Sequence, residues 1–356
     1  MGRALEIDRA DITRASLSER ADTVLEDGEV RLTIENFALT ANNVTYAATG
    51  EALGYWKFFP AADPTLGRLP VWGIATVSES RSEIAVGERV FGCVPMADAL
   101  TVTPGRIRPM AWTDVASHRT ELPPVYNEYF RLGAIPGHDP ALEDRMGLLY
   151  PLYATSYVLA DFLADNDWFG AEQIVIGSAS SKTAIGFMEM AGDLNAPSQI
   201  GLTSLRNVSF VEGLDCCAEV IPYANVNQLA ERPSVYVDMS GNTEVRMAVH
   251  TRLQAHLTYS CAVGLSHWDK FEQGVKVPGP EPEFFFAPAQ IKKRRAEWGP
   301  GVIEGKVMEA WRRHAKTSER WLELKRHHGL DEATRIYKDL AAGNVSPRDG
   351  HIVLLG

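Results

Sequence analysis

Along the first 145 residues apolar and polar positions alternate in short runs. EVRLTIENFAL (29–39), VWGIATVSE (71–79), ERVFGCV (88–94) and ALTVTPGRI (99–107) are rich in β-branched or aromatic residues, and Gly, Pro and Asp separate them at short intervals. A period of two bounded by turn residues predicts strands, and many such runs close together predict a barrel-like β domain. From about residue 147 the period lengthens. GLLYPLYATSYVLADFLADND carries apolar residues at helical spacing, with Asn166, Asp167 and Gly170 to end it. Six short, nearly all-apolar segments follow, EQIVIGS, SQIGLTS, EVIPYA, SVYVDMS, LTYSCAVG and EFFFAPA, with helical sequence between most of them. Strands of that kind sit in a parallel sheet covered on both faces, so residues 149 to about 290 predict a doubly wound α/β domain. A charged helical stretch (303–327), a helix over 331–342 and a closing strand HIVLLG complete the pattern.

Length and composition narrow the classes. A chain of 356 residues accommodates two domains with a core in each. With 45% apolar and 23% charged residues it has the balance of a globular protein, which excludes disorder and fibrous structure. A net charge of -11 argues against a nucleic-acid partner, which asks for a basic face. The one basic run, KKRR at 292–295, is followed by Ala296 and Glu297 and reads as a solvated helix face. No segment approaches the ~18 to 20 apolar residues of a membrane span. The charged start MGRALEIDRADITRASLSERAD lacks the apolar core of a signal peptide, so the expectation is a cytoplasmic protein with no membrane partner. Cys93, Cys216, Cys217 and Cys261 contain no CxxC pair, which argues against a structural zinc site or a disulfide framework.

The segment IVIGSASSKTAIGFMEMAG (174–192) carries the chemistry. A triphosphatase loop, G-x-x-x-x-G-K-[ST], wraps the β-phosphate in backbone amides. Here the lysine arrives one residue early and the second glycine is absent, so the wrap fails, although SVYVDMS resembles a magnesium-binding strand. A dinucleotide turn asks for less: a tight turn, small residues and a helix N-terminus facing the pyrophosphate. Gly177, Ser178, Ala179, Ser180 and Ser181 are all small, and Gly186 is placed where the helix packs on the sheet. An ordinary strand-to-helix turn is the competing explanation. The second strand ends in Thr203, Ser204, Leu205, Arg206 and Asn207, with hydroxyls and an arginine where an NAD site has a carboxylate. That chemistry suits a 2′-phosphate and makes NADPH the expected cofactor. The alternative for Arg206 is a solvated first-turn residue of the next helix.

Several segments together resemble the medium-chain dehydrogenase/reductase superfamily, in its zinc-independent quinone oxidoreductase branch, and within it a set of bacterial relatives known as a domain of unknown function. AVGERVFG (85–92) is similar to that superfamily's "vGDRVfG" strand, NVTYAATG (43–50) to its "xDTYxRsG" segment, SVYVDMSGN (234–242) to its "DvVyDsvG" strand, and DLAAGNVSPRDGHIVLL to its final helix and strand. The resemblance implies a GroES-like β-barrel domain over 1–148, rejoined by 316–356, and a Rossmann-type doubly wound parallel sheet over 149–315, with the substrate and nicotinamide in the cleft between them. Zinc-dependent members carry Gly-His-Glu after a proline, where Pro70 to Ala75 stand here. Catalytic zinc needs three protein ligands, so metal-free chemistry is implied.

The resemblance also implies roles. Tyr46 and Asn43 are the candidate catalytic groups, although the branch's usual Asn and Asp fall on Ala41 and Val44; the competing explanation for Tyr46 is an ordinary barrel tyrosine. Gly177, Ser180, Ser181, Lys182 and Thr183 would hold the pyrophosphate or 2′-phosphate, Ser204 and Arg206 the 2′-phosphate, and Tyr223 the adenosine. Ser240, Gly264, Ser266 and His267 follow the fourth and fifth strands. His267 with Trp268 faces the nicotinamide or is loop packing. The aromatic loop GYWKFFP (54–60) is a candidate apolar pocket or lid, with burial as its alternative, whereas Trp311 and Trp321 read as packing. Two functions follow from different classes. One is an NADPH-dependent reductase of enones or quinones acting on a small apolar or carbonyl-conjugated molecule; the other is an NADPH-binding sensor or structural partner without catalysis. In relatives the last Rossmann strand, here EFFFAPA, pairs across a two-fold axis, which implies a homodimer.

Overall fold

The computed structural model describes residues 2–21, 23–264 and 274–356. Strands β1 (Gly2–Asp8), β2 (Ala15–Arg20) and β3 (Val30–Leu39) lead into a short helix α1 (Ala41–Ala48). After it come β4 (Leu66–Gly67), β5 (Pro70–Ser80), β6 (Arg89–Pro95), β7 (Ala99–Val102), β8 (Pro104–Gly105), β9 (Ala111–Asp114) and β10 (Glu128–Arg131). Helix α2 (Glu143–Asp165) opens an alternation of β11 (Gln173–Gly177), α3 (Lys182–Asp193), β12 (Ser198–Thr203), α4 (Val208–Glu212), β13 (Glu219–Pro222), β14 (Ser234–Asp238), α5 (Thr243–Leu253), β15 (Leu257–Ala262) and β16 (Glu283–Phe284). The chain closes with α6 (Ala287–Trp298), α7 (Val302–Thr317), β17 (Glu323–His328), α8 (Gly329–Ala341) and β18 (Asp349–Leu354). Two compact units result, Met1–Leu148 with Leu322–Gly356, and Leu149–Trp321. The second boundary falls after Trp321 rather than after residue 315, because Trp321 is buried beside Phe210, 6.2 Å between ring centres.

The first unit is built on a largely antiparallel sheet ordered β17-β18-β3-β5-β6-β10-β9-β8, with β7 also on β3 and a small sheet β2-β1-β4 beside it. Its centre is the β3–β5 ladder, Val30 opposite Ser80 through Phe37 opposite Gly73. Helix α1 interrupts the strand-rich sequence because Thr40 caps it: the Thr40 hydroxyl accepts from the Asn42 N–H and Asn43 Oδ1 accepts from the Thr40 N–H. The aromatic loop after it is core rather than lid. Trp56 lies between Gly50 and Gly67, where a Cβ on either would overlap the indole, and Phe58 and Phe59 are buried with Leu122 beneath the Arg119 guanidinium. The charged stretch 303–327 is not one helix. Helix α7 ends at Thr317, and ELKRHH forms the edge strand β17, parallel to β18 from Glu323 opposite Asp349 to His328 opposite Leu354. Charge on an edge strand discourages pairing with other chains, which is why the segment has the composition of a solvated helix.

In the second unit all six strands are parallel, in the order β13-β12-β11-β14-β15-β16. This is the double-wound order whose strand ends bind ligands at the switch between β11 and β14. Every residue of β11 and β14 is buried, which accounts for their continuous apolar sequence. Of EFFFAPA only Glu283 and Phe284 are strand, opposite Cys261 and Ala262; the Phe285 N–H donates to the Ala262 carbonyl at 2.9 Å, and α6 begins at Ala287 with Pro288 in its first turn. The KKRR run is not wholly solvated either. Lys292, Lys293 and Arg295 are exposed, but Arg294 is buried, with its Nε 2.7 Å from Asp161 Oδ2 and its guanidinium over Trp298. Trp311 and Trp321 are packing residues, Trp311 meeting Tyr150 edge-on at 5.8 Å. Among the described residues no helix is long and apolar enough to cross a membrane.

His250 on α5 is fully buried between the Pro278 carbonyl oxygen (2.8 Å from Nδ1) and the Ser260 hydroxyl (2.9 Å from Nε2). Burial, with Arg246 adding to it, holds its pKa below the ordinary histidine value, opposed by the Pro278 bond and by Asp238. The folded state therefore keeps His250 neutral while the unfolded chain takes up a proton near pH 6.5. Its contribution is complete above that pH and is lost as pH falls, by at most about 1.4 kcal/mol per pH unit. Urea titrations at pH 7.5 and 5.5 should show a flatter stability profile in His250→Gln than in the parent; equal slopes would contradict this assignment.

Candidate functional site

The turn after β11 is set by crowding. A Cβ on Gly177 would stand 2.8 Å from the Tyr236 hydroxyl, and one on Gly201 of the neighbouring strand would stand 3.1 Å from Ala179 Cβ. Backbone and strand thus meet with no room for side chains, the close approach that a dinucleotide turn requires. Ser178 takes a left-handed φ of 56°, which costs a non-glycine residue about 1 kcal/mol. The turn is held by Ser181 N–H to Ser178 O (2.8 Å) and Ala179 N–H to Leu202 O (2.9 Å). Ser181 is the N-cap of α3, its hydroxyl accepting from the Ala184 N–H at 3.3 Å. Lys182 and Thr183 are then the first two helical residues, where N–H groups point out of the helix and favour an anion. The serines that replace glycines therefore have local roles: one caps the helix and another ties the turn to β12.

That tie is Ser180. Its hydroxyl accepts from Thr203 Oγ1 at 3.2 Å and from Asn207 Nδ2 at 3.1 Å, so β11 and β12 share one polar cluster at their ends. Thr203 and Asn207 belong to the polar strand end read from sequence, but their bonds to Ser180 were not legible there. Ser204 follows; its Oγ is buried and among the described residues has no hydrogen-bond partner. Arg206, two residues on, is exposed on a 3-10 turn (Leu205–Asn207). Tyr223, directly after β13, is hydrogen-bonded to Ser178, and burial pushes its pKa up to about 12 against the pull of those bonds.

Gly186 does not pack on the sheet as its position in the sequence suggested. A Cβ there would meet the Tyr153 ring at 2.6 Å and Ser156 Oγ at 3.0 Å, both on α2, and the Ser156 hydroxyl donates to the Thr183 carbonyl at 2.8 Å. The glycine lets α3 and α2 approach, and the approach fixes the turn of α3 that bears Lys182. Asp238 ends β14. Its Oδ1 accepts from the Ser240 hydroxyl and from the N–H groups of Ser240 and Gly241 at 2.7–2.9 Å, and Oδ2 accepts from Arg246 Nε at 3.0 Å. This carboxylate is an internal brace, and Ser240 is fully buried with its hydroxyl directed to it. The Asp238 carbonyl in turn accepts from Val263 and Gly264 N–H groups, which holds the end of β15 beside β14. Ser266 and His267 lie outside the described residues.

In the first unit Asn43 and Tyr46 separate. Asn43 is buried with its oxygen in the α1 cap and its Nδ2 3.3 Å from the Pro70 carbonyl, so both ends of the amide are engaged. Tyr46, nearly one turn on, stacks on Tyr55 at 4.2 Å between ring centres and meets Tyr126 edge-on at 5.9 Å. The Tyr126 hydroxyl lies 3.0 Å from that of Tyr55 and donates to that of Tyr46 at 3.4 Å. Tyr126 is therefore the partner that sequence reasoning missed, since 80 residues separate it from Tyr46, whereas Tyr55 belongs to the aromatic loop GYWKFFP. Burial raises the pKa of all three phenols; Tyr46 and Tyr55 raise that of Tyr126 further, whereas the hydrogen bond to Tyr126 partly offsets the rise at Tyr46 and Tyr55. They stay protonated at neutral pH and act as hydrogen-bond donors rather than bases. Among the described residues no group of three or more His, Cys, Asp or Glu side chains is placed to hold a metal ion.

The fold has relatives among solved structures. CurA from Vibrio vulnificus, in complex with NADPH, superposes with a TM-score of 0.65 at 12% identity, over 99% of each chain. A candidate NADPH:quinone reductase from Mesorhizobium loti gives 0.64 at 13% identity, over 99% of this chain and 98% of that one. The CurK enoyl reductase gives 0.58 at 13% identity, over 100% and 99%. No curated protein matches the sequence. The likeness to these structures is one of fold, a GroES-like unit with a Rossmann-type unit. The pattern of the family described as "Protein of unknown function (DUF2855)" spans residues 37–346, and the chain belongs to that family.

Proposed function

We propose that this protein is an NADPH-dependent, metal-independent reductase that delivers hydride to the C=C bond of an enone or enoyl compound, or to a quinone. The observation that carries the reading is the Ser204 hydroxyl, buried with no hydrogen-bond partner among the described residues, two residues before Arg206 and just past the strand that neighbours Gly177, where a side chain has no room. Those residues fit the nucleotide. The first turn of α3 would take the pyrophosphate, and Ser204, Arg206 and Lys182 would take the 2′-phosphate by hydrogen bond and charge. NADPH in complex with CurA, at 12% identity over the same fold, supports the choice.

Bound NADPH supplies a hydride; the net change adds that hydride and one proton across the C=C bond or the quinone. The protein's part is to orient the acceptor and polarise its oxygen. Tyr46, Tyr55 and Tyr126 carry three hydroxyl protons and engage two of them with one another. One O–H is left to donate to a carbonyl or quinone oxygen, and the chain of phenols passes a proton toward it. Substrate binding then belongs to residues 1–148 with 322–356 and nucleotide binding to 149–321. The O–H left over is that of Tyr46, because Tyr126 donates to it, so Tyr46→Phe should lower kcat with quinones and enones by about 100-fold or more with NADPH binding intact. Unchanged kcat in that variant would remove the phenols from the mechanism. Tight NADPH binding by the parent with no acceptor reduced would favour the non-catalytic alternative, which the commitment of Asn43 to the helix cap supports.

The cofactor assignment is tested separately. Lys182→Ala combined with Arg206→Ala should weaken NADPH far more than NADH in a fluorescence titration, whereas equal losses would show that neither side chain reads the 2′-phosphate. A homodimer completes the proposal. Phe284 (60% exposed) ends β16, the edge strand of the parallel sheet, and Phe286 (55%) lies two residues on; an apolar edge of this kind needs cover. Light scattering should find a dimer in the parent and a monomer in Phe284→Asp/Phe286→Asp; a monomeric parent would exclude it.

A further inference from the structure

The four cysteines divide by access. Cys93 and Cys261 are fully buried, whereas Cys216 and Cys217 are partly exposed on the turn between α4 and β13, where Asp215 takes a left-handed φ of 56°. Both thiols of this adjacent pair face one thioether. Cys217 Sγ lies 3.1 Å from Met188 Sδ, and Cys216 Sγ lies 4.0 Å from the same atom. The Cys217 thiol is hydrogen-bonded to that of Cys216, which with burial keeps Cys216 protonated. The sheet makes room for the cluster: a Cβ on Gly201 would stand 3.0 Å from Cys217 Sγ. The nearby carboxylate of Glu189 is already engaged, accepting from Thr317 Oγ1 at 2.9 Å and from the Tyr153 hydroxyl at 3.3 Å.

We propose that Cys216, Cys217 and Met188 form a three-sulfur site for one soft monovalent cation of the Cu(I) class. Two thiolates and a thioether suit a soft ion and are a poor set for a hard one. With metal–sulfur bonds of about 2.3 Å, three sulfurs in a plane around one ion stand about 4 Å apart. The Cys216–Met188 separation of 4.0 Å already meets that spacing, and the Cys217 side chain has to open toward it. Cu(I) displaces one proton from each thiol, both released to solvent, and no electron is transferred. The proposal is independent of the nucleotide reading, because its ligands and its readout involve no cofactor.

The test is an anaerobic titration of the full-length protein with Cu(I) held by a chromogenic Cu(I) chelator. The parent should take one equivalent from the chelator. Cys216→Ser/Cys217→Ser should lose affinity by more than about 100-fold, and Met188→Leu by about tenfold or more. No copper taken by the parent, or equal uptake by the double variant, would overturn the site. Copper X-ray absorption on the loaded parent keeps the test independent of variant folding. Three sulfur neighbours are expected, and a shell of nitrogen or oxygen would overturn the assignment.

Discussion

The lack of room for a side chain at Gly177, where a Cβ would stand 2.8 Å from the Tyr236 hydroxyl, governs the strand-to-helix turn of the second unit. Because no side chain fits there, β11 runs flush against β14 to its last residue, and the chain must turn at once. Ser178 accepts a left-handed conformation to make that turn, and Ser181 reaches the position where its hydroxyl caps α3. Gly201 repeats the constraint one strand away, letting Ala179 sit against β12. Small residues are therefore demanded by the packing of three neighbouring strands, and the geometry of the turn follows from that packing. Serine meets the demand as glycine does wherever its hydroxyl has a local partner, as at Ser180 with Thr203 and Asn207.

Polar braces then hold the loops that glycine leaves loose. Asp238 gathers four donors from its own loop and from α5, so the end of β14 is fixed without a ligand. In the first unit the Thr40 and Asn43 cap fixes the start of α1, and Trp56 wedged between Gly50 and Gly67 fixes the segment that follows. Tyr46 and Tyr55 are carried on those two braced elements, which is how their rings come to stack at 4.2 Å. A buried asparagine in the cap and a phenol free of the cap are two outcomes of one helix start.

What could be read from sequence follows the range of the forces involved. Period-two runs marked β3, β5 and β6, and all-apolar runs marked β11, β12 and β14, because burial on one face or two writes itself directly into composition. Strand β17 was hidden, since its pairing partner β18 supplies the backbone bonds and its own side chains only protect an edge. Arg294 was hidden among exposed lysines, because its partner Asp161 is on α2. The turn at Gly177 was visible as a run of small residues, yet Gly186 faces α2 and not the sheet, a matter of helix rotation that spacing alone left open. Asn43 and Tyr46 stood together in sequence, and only the cap geometry separated them. Tyr126 was invisible beside Tyr46 because 80 residues lie between two hydroxyls that now touch.

All of these features bear on one claim, that the serine-lined turn with Ser204 and Arg206 holds NADPH. Its most direct test is titration of the purified full-length protein with NADPH and with NADH, followed by nucleotide fluorescence or calorimetry. Saturable binding of NADPH, tighter than that of NADH, is the predicted result. Failure of both nucleotides to bind, or a preference for NADH, would contradict the account.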